Sequence, residues 1–344
     1  MHPSLSTLTF GAEFEILSPL DREPIARRVS EISGLPVYSG FGNCPSDSWK
    51  IVRDGSIRGN GYGFEFVAPV LSGDAGLEQV AKIAQALNAA GCTVNTTTGF
   101  HVHVGAPTNS IGFFQDLLKL YGRFEDSLDQ IMPPSRRGND ATYCKSVKLT
   151  DKEAIDSATS VRALSTALAR ASGAHAGRYH KVNIEGLHSK DANRSGPRTV
   201  EFRQHAGTVN ADKAINWITI CLRLVAAAKA GKTGAGPAIA RDFSRLDAKA
   251  RAVAEAVAKP EGATAEEIRA AHGFRALSIK RQAAVAGLEV RVVKSRGKER
   301  FFLVAQVAPG ATVPATLDGL FEVIDATPEE AAFLRSRAQR SAAL

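Results

Sequence analysis

The chain has 344 residues, 44% of them hydrophobic and 23% charged, with 43 Lys and Arg against 35 Asp and Glu for a formal charge of +8. This is enough apolar material for one large domain and one small one, and it excludes a disordered or collagen-like polymer. The positive surplus favours anionic partners but does not separate nucleic acid from nucleotide or acidic substrate. Cys44, Cys92, Cys144 and Cys221 are far apart and form no CxxC pair, which predicts free thiols in a reducing compartment. The first residues hold no basic segment followed by an apolar run. The most apolar stretch, 217–228, is too short to cross a bilayer and contains Arg223. The expectation is a cytoplasmic protein without membrane contact.

Residues 9–16 alternate. Phe10, Phe14 and Ile16 fall on one side and Glu13 and Glu15 on the other, as the period of two in a strand dictates. Alone, this segment reads as an edge strand with two solvated carboxylates, although carboxylates at i and i+2 are also a compact divalent-cation site. Residues 36–63 are rich in Gly, Pro, Ser and Asn and predict loops and hairpins. They include a short strand at 49–52 and a turn at Asp54-Gly55-Ser56. In 63–67, Phe64 and Phe66 oppose Glu65, and Pro69 ends the strand. A helix over 72–91 buries Leu77, Val80, Ala84 and Leu87. Residues 99–105 form the next strand, with Phe100, Val102 and Val104 against His101 and His103. An HxH pair on a strand signals metal or phosphate contact, weighed against two polar residues on an exposed face.

A second helix over 110–132 carries Phe113, Phe114, Leu117, Tyr121, Phe124 and Leu128 at helical spacing, a core face rather than a ligand box. The basic loop 135–140 includes Arg136 and reads equally as a phosphate contact or as ordinary solvated chain. A third helix spans 160–171. In 178–185, Val182 and Ile184 point inward with Lys181, Asn183 and Glu185 opposite. In 198–205, Val200 and Phe202 point inward with Thr199, Glu201, Arg203 and His205 opposite. These two strands predict a hairpin. The helix that follows starts at Asn210 or Asp212 and runs to about 230. Gly231-Lys232-Thr233 is not a P-loop: position 226 is Ala, and the triplet follows a helix.

The organisation expected is a domain over 1–230, a linker over 231–245, a small domain over 246–306 and a partly helical tail over 307–344. The small domain reads helix, helix, helix, hairpin, the layout of a winged helix, with a capping box from Thr264 to Glu267. Over 241–304, 14 Lys and Arg stand against 8 Asp and Glu. Arg275, Lys280 and Arg281 lie on or near the candidate recognition helix, and Arg296 and Lys298 on the wing. DNA contact and protein contact are both open.

Five alternating strands of the first domain thus offer Glu13, Glu15, Glu65, His101, His103, Asn183, Glu201, Arg203 and His205. One sheet with a concave polar face and helices on its other face brings them together, an α+β architecture with an antiparallel sheet. Four crowded carboxylates repel unless cations bridge them. Hard oxygen donors select Mg²⁺ or Mn²⁺ over Zn²⁺. An arginine beside such ions suits a transferring phosphoryl group.

Four segments carry a family resemblance: Phe10-Gly11-Ala12-Glu13-Phe14-Glu15, Glu65-Phe66-Val67-Ala68-Pro69, Gly99-Phe100-His101-Val102-His103-Val104-Gly105, and Thr199 through Thr208. In this order they resemble the motifs of the amidoligase family, carboxylate–amine ligases related to glutamine synthetase and glutamate–cysteine ligase, over residues 7–230. The resemblance implies a glutamine synthetase-like fold and an ATP-dependent ligase with two or three Mg²⁺. It implies metal ligands at Glu13, Glu15, Glu65 and Glu201, with one of His101 and His103 facing metal and phosphate. It places Arg203 on the transferred phosphate, leaving Arg136 and Asn183 as further nucleotide-facing candidates. The implied reaction makes an acyl phosphate that an amine converts to an amide, with His205 or Glu185 taking the amine proton. The carboxylate and the amine can each belong to a peptide or a protein. One departure stands out: the arginine two places before the strand glutamate in glutamine synthetase is Thr199 here, and Arg198, one place earlier, falls on the opposite face unless a bulge intervenes.

Two other classes compete. A metal-dependent hydrolase would hold Zn²⁺ on His101 and His103 and turn over without nucleotide, which the glutamate-rich face disfavours. A DNA-binding regulator would bind nucleotide without consuming it and show a steep salt dependence on DNA.

Overall fold

The computed structural model describes residues 3–175, 177–185, 198–232, 248–257, 263–274, 276–285, 289–295, 298–304 and 315–342. The expected linker from 233 onward, the turn at 186–197, Arg275 and Arg296 lie outside the described residues. The first part runs α1 (Pro3–Ser6), β1 (Thr9–Ser18), α2 (Arg22–Ser33), β2 (Val37–Tyr38), β3 (Trp49–Arg53), β4 (Tyr62–Val67), β5 (Leu71–Ser72), α3 (Gly73–Ala89), β6 (Phe100–Gly105) and α4 (Ile111–Gln130). It continues with α5 (Lys152–Ser157), α6 (Val161–Ser172), β7 (Val182–Asn183), β8 (Thr199–Phe202) and α7 (Ala211–Lys229). The second part holds α8 (Ala248–Val257), β9 (Ala263–Thr264), α9 (Ala265–His272), α10 (Ile279–Val285), β10 (Glu289–Ser295) and β11 (Lys298–Val304), followed by α11 (Leu317–Val323) and α12 (Pro328–Ala342).

The main sheet is ordered β2-β3-β4-β1-β6-β8-β7, with β5 pairing with β1 at the side. All its strand pairs are antiparallel except β2 with β3. The sheet is therefore mixed where a purely antiparallel one was expected. The apolar positions of β1, β4, β6 and β8 all face a layer built on α3, α4 and α7: Phe14, Phe66, Phe100, Val102, Val200 and Phe202 are completely buried. The Phe14 and Phe100 rings stand 4.6 Å apart and tilted, an arrangement that adds about 0.5–1.5 kcal/mol beyond area burial. Asn210 caps α7 by accepting a hydrogen bond from Lys213 N at 2.9 Å, one of the two starts the sequence allowed.

Two segments depart from simple alternation. Residues 178–185 are extended only at β7, after a 3-10 turn at Gly177–Tyr179. Lys181 turns toward the helices, where its fully buried ammonium lies 2.9 Å from Glu125 and 2.6 Å from Asp129 of α4. A buried ammonium needs such partners, and two carboxylates on one helix supply them. Gln204 donates to the same Asp129 at 2.5 Å and accepts from the Tyr121 hydroxyl. The second departure follows Phe202, where β8 ends. Gln204 and His205 both turn to the helical side, so the period of two no longer holds there.

Residues 263–304 contribute a three-stranded sheet, β10-β11-β9, packed with α8, α9 and α10 around a separate core that includes Val253, Val257, Ile268, Ile279 and Phe301. The Thr264–Glu267 capping box is present, with both reciprocal hydrogen bonds. Residues 315–342, expected to be a tail, instead join the first core through Leu317, Leu320, Phe321, Ile324 and Leu334. Arg223 of α7 ties them down, pairing with Glu330 at 2.9 Å.

Candidate active site

The strand register places the acids in a lattice. Glu15 is opposite Glu65, Glu13 opposite His101, His103 opposite Glu201, and Glu201 opposite Asn183. Like charges facing each other across strands destabilise a sheet, so Glu15 against Glu65 is a position that core packing alone does not account for. The polar face of β1, β4, β6 and β8 lines a cavity of about 1200 Å³, whose walls also carry Asn183, Glu185, Arg203 and Arg136.

Within it, two groups of side chains bring ligand atoms within 4.8 Å of one another: Glu13, His101 and Glu201, and Glu15, Glu65 and His101. His101 belongs to both. Its Nδ1 is 3.3 Å from Glu13 Oε2 and 3.6 Å from Glu201 Oε1, while its Nε2 is 3.5 Å from Glu15 Oε1. His103 is held through Nδ1 by the Thr199 hydroxyl at 3.1 Å. Its Nε2 lies 3.0 Å from Glu13 Oε1 and is buried, yet makes no well-aligned hydrogen bond there. An imidazole flanked by carboxylates is attracted to them whatever its tilt. Thr199 thus orients a histidine.

Gly99 explains itself by close approach. A Cβ there would stand 2.7 Å from His101 Nε2 and 3.2 Å from both Arg136 Nη2 and Glu15 Oε2. Its N–H donates to Glu15 Oε2 at 2.5 Å. Arg136, on a 3-10 turn at Pro134–Arg136, is buried, lines the cavity and donates to Thr98 O at 2.6 Å, while Gly138 and Asp140 of the same loop are exposed. Arg203 pairs with Glu201, whose other oxygen accepts from Asn183 Nδ2 at 2.6 Å. Glu185 accepts from the Ser165 hydroxyl at 3.1 Å.

The electrostatics are uneven. Burial, reinforced by the Glu13, Glu15 and Asp54 carboxylates, pushes the Glu65 carboxyl up to about 9. Burial opposes ionisation of Glu13 as well, but the His101 and His103 imidazoles hold it far below the usual carboxylate range. Glu201 is likewise lowered against its burial, by the Arg203 guanidinium and then the two imidazoles. His103, which burial would lower, is raised by Glu13 and Glu201. An excess of buried carboxylate, one of them holding a proton, is the donor set that a hard divalent cation fits, and a side chain at residue 99 would crowd that space.

His205 is elsewhere. Its ring packs at 5.6 Å from Trp217 and edge-on to Phe100, among the helices. Nδ1 bonds Ala206 O at 2.6 Å and Nε2 faces Arg337 Nη1 of α12 at 3.0 Å, and burial holds its pKa far below the usual imidazole range. The expectation that His205 shares the polar face is therefore corrected: the strand has ended before it. Conversely, the cavity wall includes Arg58, Tyr143, Arg178 and Tyr179, which sequence periodicity does not single out because they lie on loops and turns. The Tyr143 and Tyr179 rings meet at 5.1 Å, with the Arg178 guanidinium 4.9 Å over Tyr179.

A family model described as "putative amidoligase enzyme" matches residues 6–225, well over half of the chain. No curated protein shows a significant match. The matched span runs from the approach to β1 into α7 and takes in every strand that lines the cavity. The chain belongs to the amidoligase family, which is named for amide-bond-forming ligases.

Proposed function

We propose that the protein is an ATP- and Mg²⁺-dependent carboxylate–amine ligase working through an acyl phosphate on a glutamine synthetase-like scaffold. The observation that carries this reading is the pair of three-residue groups sharing His101 on the floor of a cavity lined by four arginines. Glu13, His101 and Glu201 would hold one ion, and Glu15, Glu65 and His101 a second. When bound, Mg²⁺ (or Mn²⁺) would neutralise charge on the triphosphate. Arg203, fixed by Glu201, faces the transferring phosphoryl group. Arg136 and His103 contact the remaining phosphates, and Asn183 holds Glu201 in place.

The γ-phosphoryl group passes to a substrate carboxylate oxygen as its bond to ADP breaks. The amine nitrogen then attacks the acyl carbon, the carbon–oxygen bond breaks, and phosphate leaves with the electron pair. Glu185 lines the cavity outside both ligand groups and takes the amine proton in this reading. His205 has no part in it.

The order of three helices and a hairpin, closed by β9, supports a winged-helix reading of the second part, with DNA or protein as the partner of its basic surface. To test the ligase, the protein is incubated with Mg·ATP and pooled carboxylates and amines. ADP release that depends on both pools, together with a new amide mass, is expected. ADP formation without an amide product would overturn the assignment.

A further inference from the structure

Tyr143 and Tyr179 stand apart from the rings of the core. Tyr121 is completely buried there with its hydroxyl bonded to Gln204, whereas neither Tyr143 nor Tyr179 joins that cluster. Both line the cavity, and Tyr143 keeps 50% of its surface exposed. Among the described lining residues they are the aromatic side chains besides His101 and His103. Contact between the two rings steadies the loops that carry them. It does not account for apolar rings on the wall of a cavity lined mostly by charged and hydroxyl side chains.

The geometry is that of a fixed notch. The two ring planes stand at 74° with centroids 5.1 Å apart. The Arg178 guanidinium lies 4.9 Å over Tyr179, and its Nη2 donates to the Tyr179 hydroxyl at 2.9 Å. A flat ring laid parallel to one tyrosine is nearly edge-on to the other, and offset stacking and edge-to-face contact are the arrangements that aromatic pairs favour. The guanidinium adds a planar cation that π systems also attract. Hydrogen bonds to the backbone fix both rings: Lys145 N donates to Tyr179 O at 2.7 Å, Lys181 N to Lys145 O at 2.9 Å, and Arg203 Nε to Tyr143 O at 3.4 Å. The chain at Lys145 pairs with His180, just before β7, so it runs one position outside β7. That is two strand spacings, about 10 Å, from β8 and its Glu201. The notch thus lies beside Arg203 and outside both groups of candidate metal ligands.

We infer that Tyr143, Tyr179 and Arg178 form a stacking subsite for a flat π ring carried by a substrate of the enzyme. This assignment rests on the ligase reading above. Two substrates can supply the ring: ATP through its nucleobase, or the carboxylate through an aromatic group. Stacking on tyrosine needs a π face and no particular pattern of donors and acceptors, so the same notch serves either ring. Titrating the two separately tells them apart.

The test is calorimetric titration of the full-length protein in Mg²⁺, in two arms. The first compares a non-hydrolysable ATP analogue with tripolyphosphate, which has the phosphates and no base. The second compares 3-phenylpropionate with 3-cyclohexylpropionate, with the ATP analogue saturating. Tyr143→Leu and Tyr179→Leu keep apolar bulk without a π face. Each is expected to weaken the ring-bearing ligand of one arm at least about fivefold, the low end of what a stacked base contributes, and to change the counterpart ligand less than about twofold. Tyr143→Phe keeps its ring and should match wild type. The tyrosines lie on different segments, so Tyr179→Leu decides the matter if Tyr143→Leu loses its cooperative melt. A loss on the ATP analogue assigns the notch to the nucleobase, and a loss on 3-phenylpropionate assigns it to the carboxylate substrate. The subsite is overturned by unchanged binding in both arms, by equal losses on the two ligands of an arm, by a Tyr143→Phe loss as large as that of Tyr143→Leu, or by wild type that binds neither ring-bearing ligand. Failure of the ligase reading is seen separately, as wild-type protein that forms no ADP with any carboxylate and amine.

Discussion

Glu13 and Phe14 are adjacent on β1, yet they answer to opposite constraints. Phe14 is completely buried among Trp49, Phe100 and the helices, where every neighbour is chosen to exclude water. Glu13 points to the other face of the same strand, with His101, His103 and Glu65 around it and its charge bought at the expense of a Glu65 that keeps a proton. The helical face has charges too, but Lys181 satisfies both Glu125 and Asp129, and Glu125 also accepts from Val147 and Lys148 N–H. One face is closed electrostatically; the other holds an acid excess. A fold under selection for stability alone would pair or replace those acids, so the comparison teaches where stability ends and chemistry begins.

If that contrast is right, substitutions on the two faces separate into two phenotypes. The largest expected effect is on the acid face: Glu201→Ala removes a ligand atom and the partner of Arg203, and should lower amide formation by about 10³-fold or more in protein that still melts cooperatively, a loss of activity far beyond any loss of stability from the unpaired Arg203. A Glu201→Ala protein with wild-type turnover would break the comparison. Next, on the helical face, Lys181→Met leaves two buried carboxylates without their ammonium and should destabilise the fold by about 3–5 kcal/mol in denaturant titration.

A pH series sharpens the acid face further. Glu65 is raised to about 9, so between the ordinary carboxylate range and pH 9 the folded state holds a proton that the unfolded chain has lost. Stability in EDTA therefore falls as pH rises through that window, and the raised His103 adds loss in the same direction above its ordinary value. Glu13 and Glu201, being lowered, lose their contribution only on the acid side. From pH 7 to 9, above the range in which the lowered His205 makes stability rise with pH, the melting temperature should drop by on the order of 5 °C, with a shallower slope in Mg²⁺ and in Glu65→Gln. A rising melting temperature over that range would contradict the assigned protonation.

The smallest effect belongs to His205→Phe, which keeps the ring against Trp217 but gives up the contacts to Ala206 O and Arg337. It should cost about 1–3 kcal/mol and leave the ligase rate unchanged, which steady-state kinetics would check.

Much of this was legible in the sequence because a strand's period of two is rigid. Glu13, Glu15, Glu65, His101, His103 and Glu201 could be assigned to one face from alternation against Phe and Val, and the register then brings them together. What alternation could not reveal is where it stops. Lys181 and His205 lie just outside β7 and β8, where the chain turns, and alternation puts each on the wrong face for that reason. Tyr143, Tyr179 and Arg178 reach the cavity from loops and a 3-10 turn, which leave no periodic trace. The return of α11 and α12 onto the first core depends on contacts such as Arg223 with Glu330, more than a hundred residues apart, which no local pattern encodes.

The most direct measurement is an anomalous-difference map from crystals grown with Mn²⁺ and a non-hydrolysable ATP analogue. Two peaks are predicted, one among Glu13, His101 and Glu201 and one among Glu15, Glu65 and His101, with the phosphates toward Arg203. A nucleotide bound with no manganese at either position would contradict the account.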